Sequence, residues 1–144
     1  MNNNRTPDIF EIIEEFGKQT TKQKRKDVLL KYQNVNALTD VLRGTFDDSL
    51  QFVLPSGTPP YTPNKPESTP SSLHRVHKEF GYFVKGGPGM RMERYRLEGK
   101  FIRLLESIHP KDAVIVLSMV AKTSPVKYLT KKLVQETFPK LIQK

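Results

Sequence analysis

Three groups of basic side chains are the residues of this sequence best suited to chemistry, and that chemistry is the binding of phosphate. Lysine and arginine attract polyanions and donate charged hydrogen bonds to phosphate oxygens. The third group lies at the predicted start of a helix, where free backbone amides add to the attraction. The candidate contact residues of the first group are Lys22, Lys24, Arg25 and Lys26, and those of the second are Arg96, Lys100 and Arg103. Those of the third are Lys122, Lys127, Lys131 and Lys132, together with the hydroxyl of Thr130.

The positive charge is distributed unevenly along the 144 residues, whose net charge is +9. Residues 1–54 carry 8 basic and 8 acidic side chains, residues 55–89 carry 4 and 2, and residues 90–144 carry 12 and 5. A local positive field raises the concentration of polyanions around it. We therefore expect nucleic acid as the partner rather than an anionic membrane surface. A solvated basic surface without a specific ligand is the remaining alternative.

Other kinds of site lack the residues that they need. The chain has no cysteine, which excludes a disulfide framework, a thiolate zinc site and a cysteine nucleophile. His74 and His77 have a spacing that can present two imidazoles to a metal ion, but Arg75 and Lys78 beside them disfavour a cation. No third metal ligand is evident, and no serine–histidine–aspartate arrangement can be recognised. We expect no metal site, no cofactor and no catalysis.

The glycines within residues 86–89 do not form a nucleotide-binding loop, because the Walker lysine and hydroxyl are missing and a proline removes one amide. A flexible linker between two helices is the better interpretation. Such a linker could lie close to a DNA backbone, since glycine leaves room there.

The spacing of apolar residues predicts an all-α fold, a compact bundle of about six or seven helices in a single domain over residues 1–144. The first helix is predicted to start at Thr6 with Pro7 and to stop at Gly17. Thr20 or Thr21 is predicted to cap the second helix, which runs to about Gln33, and Asn34 or Asn36 is predicted to cap the third, which includes Phe46.

Four more helices are predicted in the second half of the chain. They cover residues 73–84, residues 90–107, a segment that begins near Pro110, and a last helix that Thr130 caps and Pro139 halts. Residues 113–120 are apolar nearly all round, so this helix is expected to be central and buried.

Residues 55–72 interrupt the helical pattern with six prolines among serine, threonine and glycine. We expect an exposed, partly extended loop inside the domain. The chain has no apolar run long enough for a membrane span, and residues 1–4 lack the apolar core of a signal peptide. A cytoplasmic protein is expected.

Two segments of the chain resemble the N-terminal DNA-binding domain of tailed-phage ATP-dependent DNA ligases. Thr20-Thr21-Lys22-Gln23-Lys24-Arg25-Lys26, followed by residues 28–31 and 38–52, is similar to the opening of that domain. Residues 128–142, Tyr-Leu-Thr-Lys-Lys-Leu-Val-Gln-Glu-Thr-Phe-Pro-Lys-Leu-Ile, are similar to its end. The resemblance covers most of the chain, with poor correspondence in the proline-rich loop and around residues 73–95.

The resemblance implies an all-helical domain that holds duplex DNA across the minor groove, mainly through its backbone. By position, Lys22 and Lys24 and then Thr130, Lys131 and Lys132 would contact phosphates. Two features depart from the ligase pattern: Tyr128 stands where the ligases have glycine, and no Lys-x-Asp-Gly adenylation motif is present. We therefore expect a stand-alone phage protein without the ligase catalytic domain, acting in the host cytoplasm.

Two functions of different classes follow from these features. The first is a non-catalytic protein that binds duplex DNA through phosphate contacts with little sequence specificity, in phage DNA replication or repair. The second is a protein–protein adaptor that keeps the ligase-like fold and binds a replication, transcription or host factor. Its ligand segment would be the proline-rich loop with Tyr61.

Overall fold

Seven α-helices make up the fold in the computed structural model, which describes residues 6–54 and 59–142. Two 3₁₀ segments, His77–Phe83 and Pro88–Arg91, lie between the fourth and fifth helices. The predicted all-α class is confirmed, and the described residues contain no strand beyond an isolated bridge between Phe52 and Val84. The helices are α1 (Ile9–Gly17), α2 (Lys22–Lys31), α3 (Asn36–Phe46), α4 (Leu73–Val76), α5 (Arg94–Leu105), α6 (Pro110–Val120) and α7 (Lys131–Thr137).

Helix α6 occupies the centre of the packing and contacts α1, α3 and α5. Helix α2 packs between α1 and α7, and α4 packs on α3. The core therefore joins the first three helices to the last three, across the proline-rich loop. No helix in the described part of the chain is both long and apolar enough to cross a bilayer.

Local capping explains where several helices begin. The hydroxyl oxygens of Thr21 and Thr130 accept hydrogen bonds from the third amide of α2 and of α7, as predicted. The predicted start of α1 at Thr6 is wrong. Asp8 is the cap residue, and Glu11 accepts a hydrogen bond from the Asp8 amide at 2.8 Å, which completes a reciprocal capping box.

The ends around the connection from α2 to α3 also differ from the prediction. Helix α2 ends at Lys31 rather than near Gln33, and the hydroxyl of the next residue, Tyr32, donates to Glu15 of α1 at 2.7 Å. Helix α3 begins at Asn36 with Val35 as its cap residue, so the predicted asparagine cap is wrong.

The segment between α4 and α5 is packed tightly, and the prediction of a flexible glycine linker is wrong. Gly87 and Gly89 lie directly against the backbone oxygens of Gly81 and Tyr82, where no Cβ would fit. The helix predicted for residues 73–84 is α-helical only as far as Val76. From His77 to Phe83 it continues as a 3₁₀ segment. The helix predicted from residue 90 starts only at Arg94, because a second 3₁₀ turn precedes it.

Helix α6 is central but not buried on all sides, so that prediction is wrong in part. Val114 is 57% exposed, although α1, α3 and α5 pack on this helix. Asp112, in contrast, is 1% exposed. Its Oδ1 accepts a hydrogen bond of 2.8 Å from the backbone N–H of Phe10, in the first turn of α1.

The proline-rich loop is anchored beside the α5–α6 connection over its described part, residues 59–72. The amide of Thr62 donates to Glu106, the side-chain amide of Asn64 donates to the carbonyl of Ile108, and the amide of Ser71 donates to the carbonyl of Ser107. The predicted beginning of this loop, residues 55–58, lies outside the described residues, as do the polar residues 1–4.

Candidate nucleic-acid interface

A cleft of about 230 Å³ lies between the first turns of α2 and α7. It brings together residues from the first and third basic groups, which are far apart in the sequence. We call it the α2–α7 cleft. Its lining residues are Lys22, Arg25, Tyr128, Thr130, Lys132 and Leu133.

The alternation of apolar and basic residues in both helices positions the cleft. Val28 and Leu29 of α2 and Leu133 and Val134 of α7 are buried in the core. The first turn of α2 therefore lies beside α7 with its cations at the surface. The Thr130 hydroxyl accepts the Leu133 amide at 3.1 Å, so one of the helix-start amides expected to attract phosphate already has a partner.

Glu136 on α7 holds two of the predicted contact residues. The Nζ atoms of Lys22 and Lys26 lie 2.9 and 3.1 Å from Glu136 Oε1. Hydrogen bonds from Lys22 and Lys26 lower the pKa of Glu136 from 4.5 to about 2, so the carboxylate stays charged in neutral solution. Part of the positive charge at the cleft is therefore compensated within the fold.

Four other cations around the cleft form no ion pair with a described residue: Lys24, Arg25, Lys127 and Lys132. Lys24, Lys127 and Lys132 are exposed, and Arg25 is half-buried. These side chains can contact phosphate without first breaking a salt bridge.

Tyr128 stands at the edge of the cleft with its side chain 54% exposed. The guanidinium carbon of Arg25 lies 3.9 Å from the centre of the ring, and Lys127 Nζ lies 5.1 Å from it. The backbone φ of Tyr128 is +71°, a left-handed conformation that glycine adopts readily and a bulky residue rarely does.

Lys131 points to a different partner from its neighbour Lys132. Its Nζ lies 2.7 Å from Asp48 Oδ2, just beyond the end of α3. This hydrogen bond lowers the pKa of Asp48 below its ordinary value. Lys131 is therefore already bound to a carboxylate, although both groups remain accessible to solvent.

Lys122, which the sequence predicts to contact phosphate, is bound to the end of α3 and does not line the α2–α7 cleft. Its Nζ donates to the backbone oxygens of Gly44 and Asp47 at 2.7 and 2.8 Å, at the C-terminal end of α3. Burial lowers its pKa below the ordinary lysine value. A cation at this helix end satisfies carbonyls that have no partner within the helix.

The second basic group lies on α5, and none of its members lines the α2–α7 cleft. Helix α5 packs on α6 and on the first 3₁₀ segment, whereas α2 and α7 pack on each other. Lys100 lies 3.4 Å from Glu79, and Arg96 lies 3.6 Å from Glu93. Arg103 is exposed and forms no ion pair with a described residue. These residues form a separate basic surface.

The two histidines considered as metal ligands have other partners. His74 Nε2 lies 2.8 Å from the carbonyl of Pro7, and His77 Nδ1 lies 2.5 Å from Asp40. Among the described residues, no group of three or more histidine, aspartate or glutamate side chains is arranged to hold a metal ion.

Comparison with known proteins places the chain in a family. Residues 12–124 match a protein family described as a family of unknown function, DUF6433. The chain belongs to DUF6433. A comparison with curated protein sequences gives no match.

The DUF6433 segment includes the α2 side of the cleft and ends before Tyr128 and α7. Sequence reasoning selected most of the cations around the cleft but missed two residues that shape it. Tyr128 was noted only as a departure from glycine, and Glu136 was not noted at all. The interruption of a basic run by an exposed aromatic residue was a usable signal for Tyr128. Nothing local indicates that Glu136 would meet Lys22.

Proposed function

We propose that this DUF6433 protein is a non-catalytic DNA-binding protein whose α2–α7 cleft contacts the phosphate backbone. The observation that carries the proposal is the convergence of two distant basic segments on one cleft, where Arg25 and Lys132 form no ion pair with a described residue. Contacts to phosphates are insensitive to base sequence, so the expected binding has low specificity and depends strongly on salt.

The resemblance of both cleft-forming segments to ligase DNA-binding domains favours duplex DNA over other polyanions. The proposed setting, phage DNA replication or repair in the host cytoplasm, rests on that resemblance alone. The adaptor alternative receives less support from the loop. Tyr61 is half-buried against the core, and its neighbour Thr62 is hydrogen-bonded to Glu106.

Removing the two cleft-lining cations that form no ion pair with a described residue, Arg25 and Lys132, tests the proposal. We expect Arg25→Ala with Lys132→Ala to weaken duplex binding roughly tenfold at low salt and to reduce the slope of log K against log salt by about 2. Fluorescence anisotropy with a labelled duplex across a salt series measures both quantities. The pair is preferable to Lys131, because a change at Lys131 would also break its contact with Asp48.

A matched control removes the same charge elsewhere. Lys65→Ala with Lys85→Ala also lowers the net charge by two, at exposed positions that do not line the cleft. This variant should bind nearly as well as the parent protein. Equal losses in the two variants would show that only overall charge matters and would contradict the proposed cleft.

Neutralising Glu136 should have the opposite effect on binding. Glu136→Gln releases Lys22 and Lys26 from the carboxylate, so we expect several-fold tighter duplex binding and a steeper salt dependence. The same anisotropy titrations measure the affinity and its salt dependence. Thermal melting confirms that the variant is folded, with α7 packed on α2. Weaker binding by a folded variant would contradict a role for these lysines in direct phosphate contact.

A further inference from the structure

Tyr128 combines an unfavourable backbone conformation with an exposed ring. A φ of +71° is an unfavourable backbone conformation for a residue with a Cβ, whereas glycine adopts it readily. The ring recovers little of the cost of this conformation through burial, because the residue is 54% exposed. Strained, exposed residues cluster at functional sites, where the strained conformation presents a group to a ligand.

The surroundings of the ring indicate the chemistry of that ligand. Arg25 places a guanidinium group against the ring at 3.9 Å, and both line the same cleft as Lys132 and Thr130. A flat π surface flanked by cations, beside further phosphate-binding groups, is the arrangement with which proteins bind a nucleobase and its adjoining phosphates. The cleft, at about 230 Å³, is below the roughly 300–1,000 Å³ of pockets that enclose a whole small molecule. The cleft therefore has room for one nucleotide of a longer chain rather than for a whole small molecule.

We propose that Tyr128 and Arg25 form a stacking platform for a single unpaired nucleobase, whose neighbouring phosphates contact Lys132 and Thr130. In an intact duplex both faces of every base are covered by neighbouring bases, and only the backbone can reach the cleft. A duplex with a short single-stranded gap offers backbone contacts and a free base together. The protein therefore prefers gapped duplex to intact duplex, an inference that rests on the proposed DNA-binding function.

A comparison of gapped and intact duplexes of equal length tests this preference. The parent protein should bind the gapped duplex roughly tenfold more tightly, since stacking on an aromatic side chain contributes on this scale. Tyr128→Phe should keep the preference. Tyr128→Leu should abolish it, because the affinity for gapped duplex should fall much more than the affinity for intact duplex. Tyr128→Gly should also abolish it and should raise Tm, because glycine accepts the left-handed backbone without strain.

A spectroscopic readout observes the stacking directly. The chain contains no tryptophan, so Tyr128→Trp introduces a single indole fluorophore at the platform. Its emission should be quenched strongly by gapped duplex and weakly by intact duplex. Equal quenching by the two DNAs would overturn the stacking platform.

The outcomes separate this inference from the function on which it rests. If the parent protein binds both duplexes equally and Arg25→Ala with Lys132→Ala weakens both, the DNA-binding function stands and the platform is wrong. If Tyr128→Leu, shown by melting to be folded, lowers both affinities by the same factor, the ring supports backbone contacts and the platform is also wrong. If the parent protein binds neither DNA, both proposals fail.

Discussion

Replacing Asp112 with asparagine should raise the free energy of unfolding by up to about 4 kcal/mol above pH 7, and by little below about pH 4. Burial raises the pKa of Asp112 from 3.8 to about 7, against the opposing effect of the hydrogen bond from the Phe10 amide. Asparagine retains a carbonyl oxygen for this hydrogen bond but carries no charge to be desolvated. The variant thus removes the desolvation free energy that destabilises the parent protein only when Asp112 is ionised.

The direction of the pH dependence follows from proton binding. Between about pH 4 and pH 7 the folded protein holds a proton on Asp112 that the unfolded chain has lost. Unfolding releases this proton, so the contribution of Asp112 to stability falls as the pH rises through this window. Below about pH 4 Asp112 is protonated in both the folded and the unfolded protein. Above about pH 7 it is ionised in both, and the full free-energy cost of burying its charge remains.

Denaturant unfolding of both proteins across a pH series from about pH 5 to about pH 8 measures this difference. The difference in the free energy of unfolding between the asparagine variant and the parent protein should widen from about pH 5 to about pH 7 and then level off. Asp112→Ala provides a control, because it leaves the buried Phe10 amide without its acceptor and should be less stable than the asparagine variant by about 1–3 kcal/mol at every pH. Parallel pH profiles for the parent and the asparagine variant would contradict the assignment.

Replacing Gly89 with alanine should lower the free energy of unfolding by about 3 kcal/mol or more. A Cβ at this position would overlap the carbonyl oxygen of Tyr82 and lie 2.8 Å from both the Tyr82 carbonyl carbon and Leu97 Cδ1. The Tyr82 atoms belong to the backbone of a 3₁₀ segment and cannot move away as a side-chain end would. The packing of this segment against the start of α5 would have to open.

Gly81→Ala is the matched control, because a Cβ there meets no atom within 4 Å. Thermal or denaturant unfolding should show a large loss of stability for Gly89→Ala and only a small change for Gly81→Ala. Similar stabilities for the two variants would show that residues 86–89 are the loose linker that the sequence suggested.

The regular part of the fold was predictable because it depends on local patterns. The apolar spacing of α1, the cap at Thr21 and the cap at Thr130 involve residues within one or two helical turns of each other. The start of α1 is also decided by nearby residues, although the prediction placed it at the wrong one. The Asp8 and Glu11 spacing of a capping box was present in the sequence and outweighed Thr6.

The sequence predicted the kind of side chain that forms the candidate site, but not which individual residues line it. Composition and spacing identified the basic groups, yet they could not distinguish Arg25, which faces the cleft, from Lys122, which caps the end of α3. The partner of Lys122 is decided by the packing of α6 on α3. In the same way, α7 brings Glu136 to Lys22, which a sequence pattern cannot reveal.

The sequence by itself determined an all-α protein with basic groups in three places, because helix periodicity, caps and charge are local properties. Only the tertiary structure decided which groups share a site. It joined the first and third basic groups at one cleft, left the α5 group on another surface, and brought the ring of Tyr128 against Arg25. The reason is physical: the buried faces of α2 and α7 pack on each other, and that contact fixes which exposed cations become neighbours.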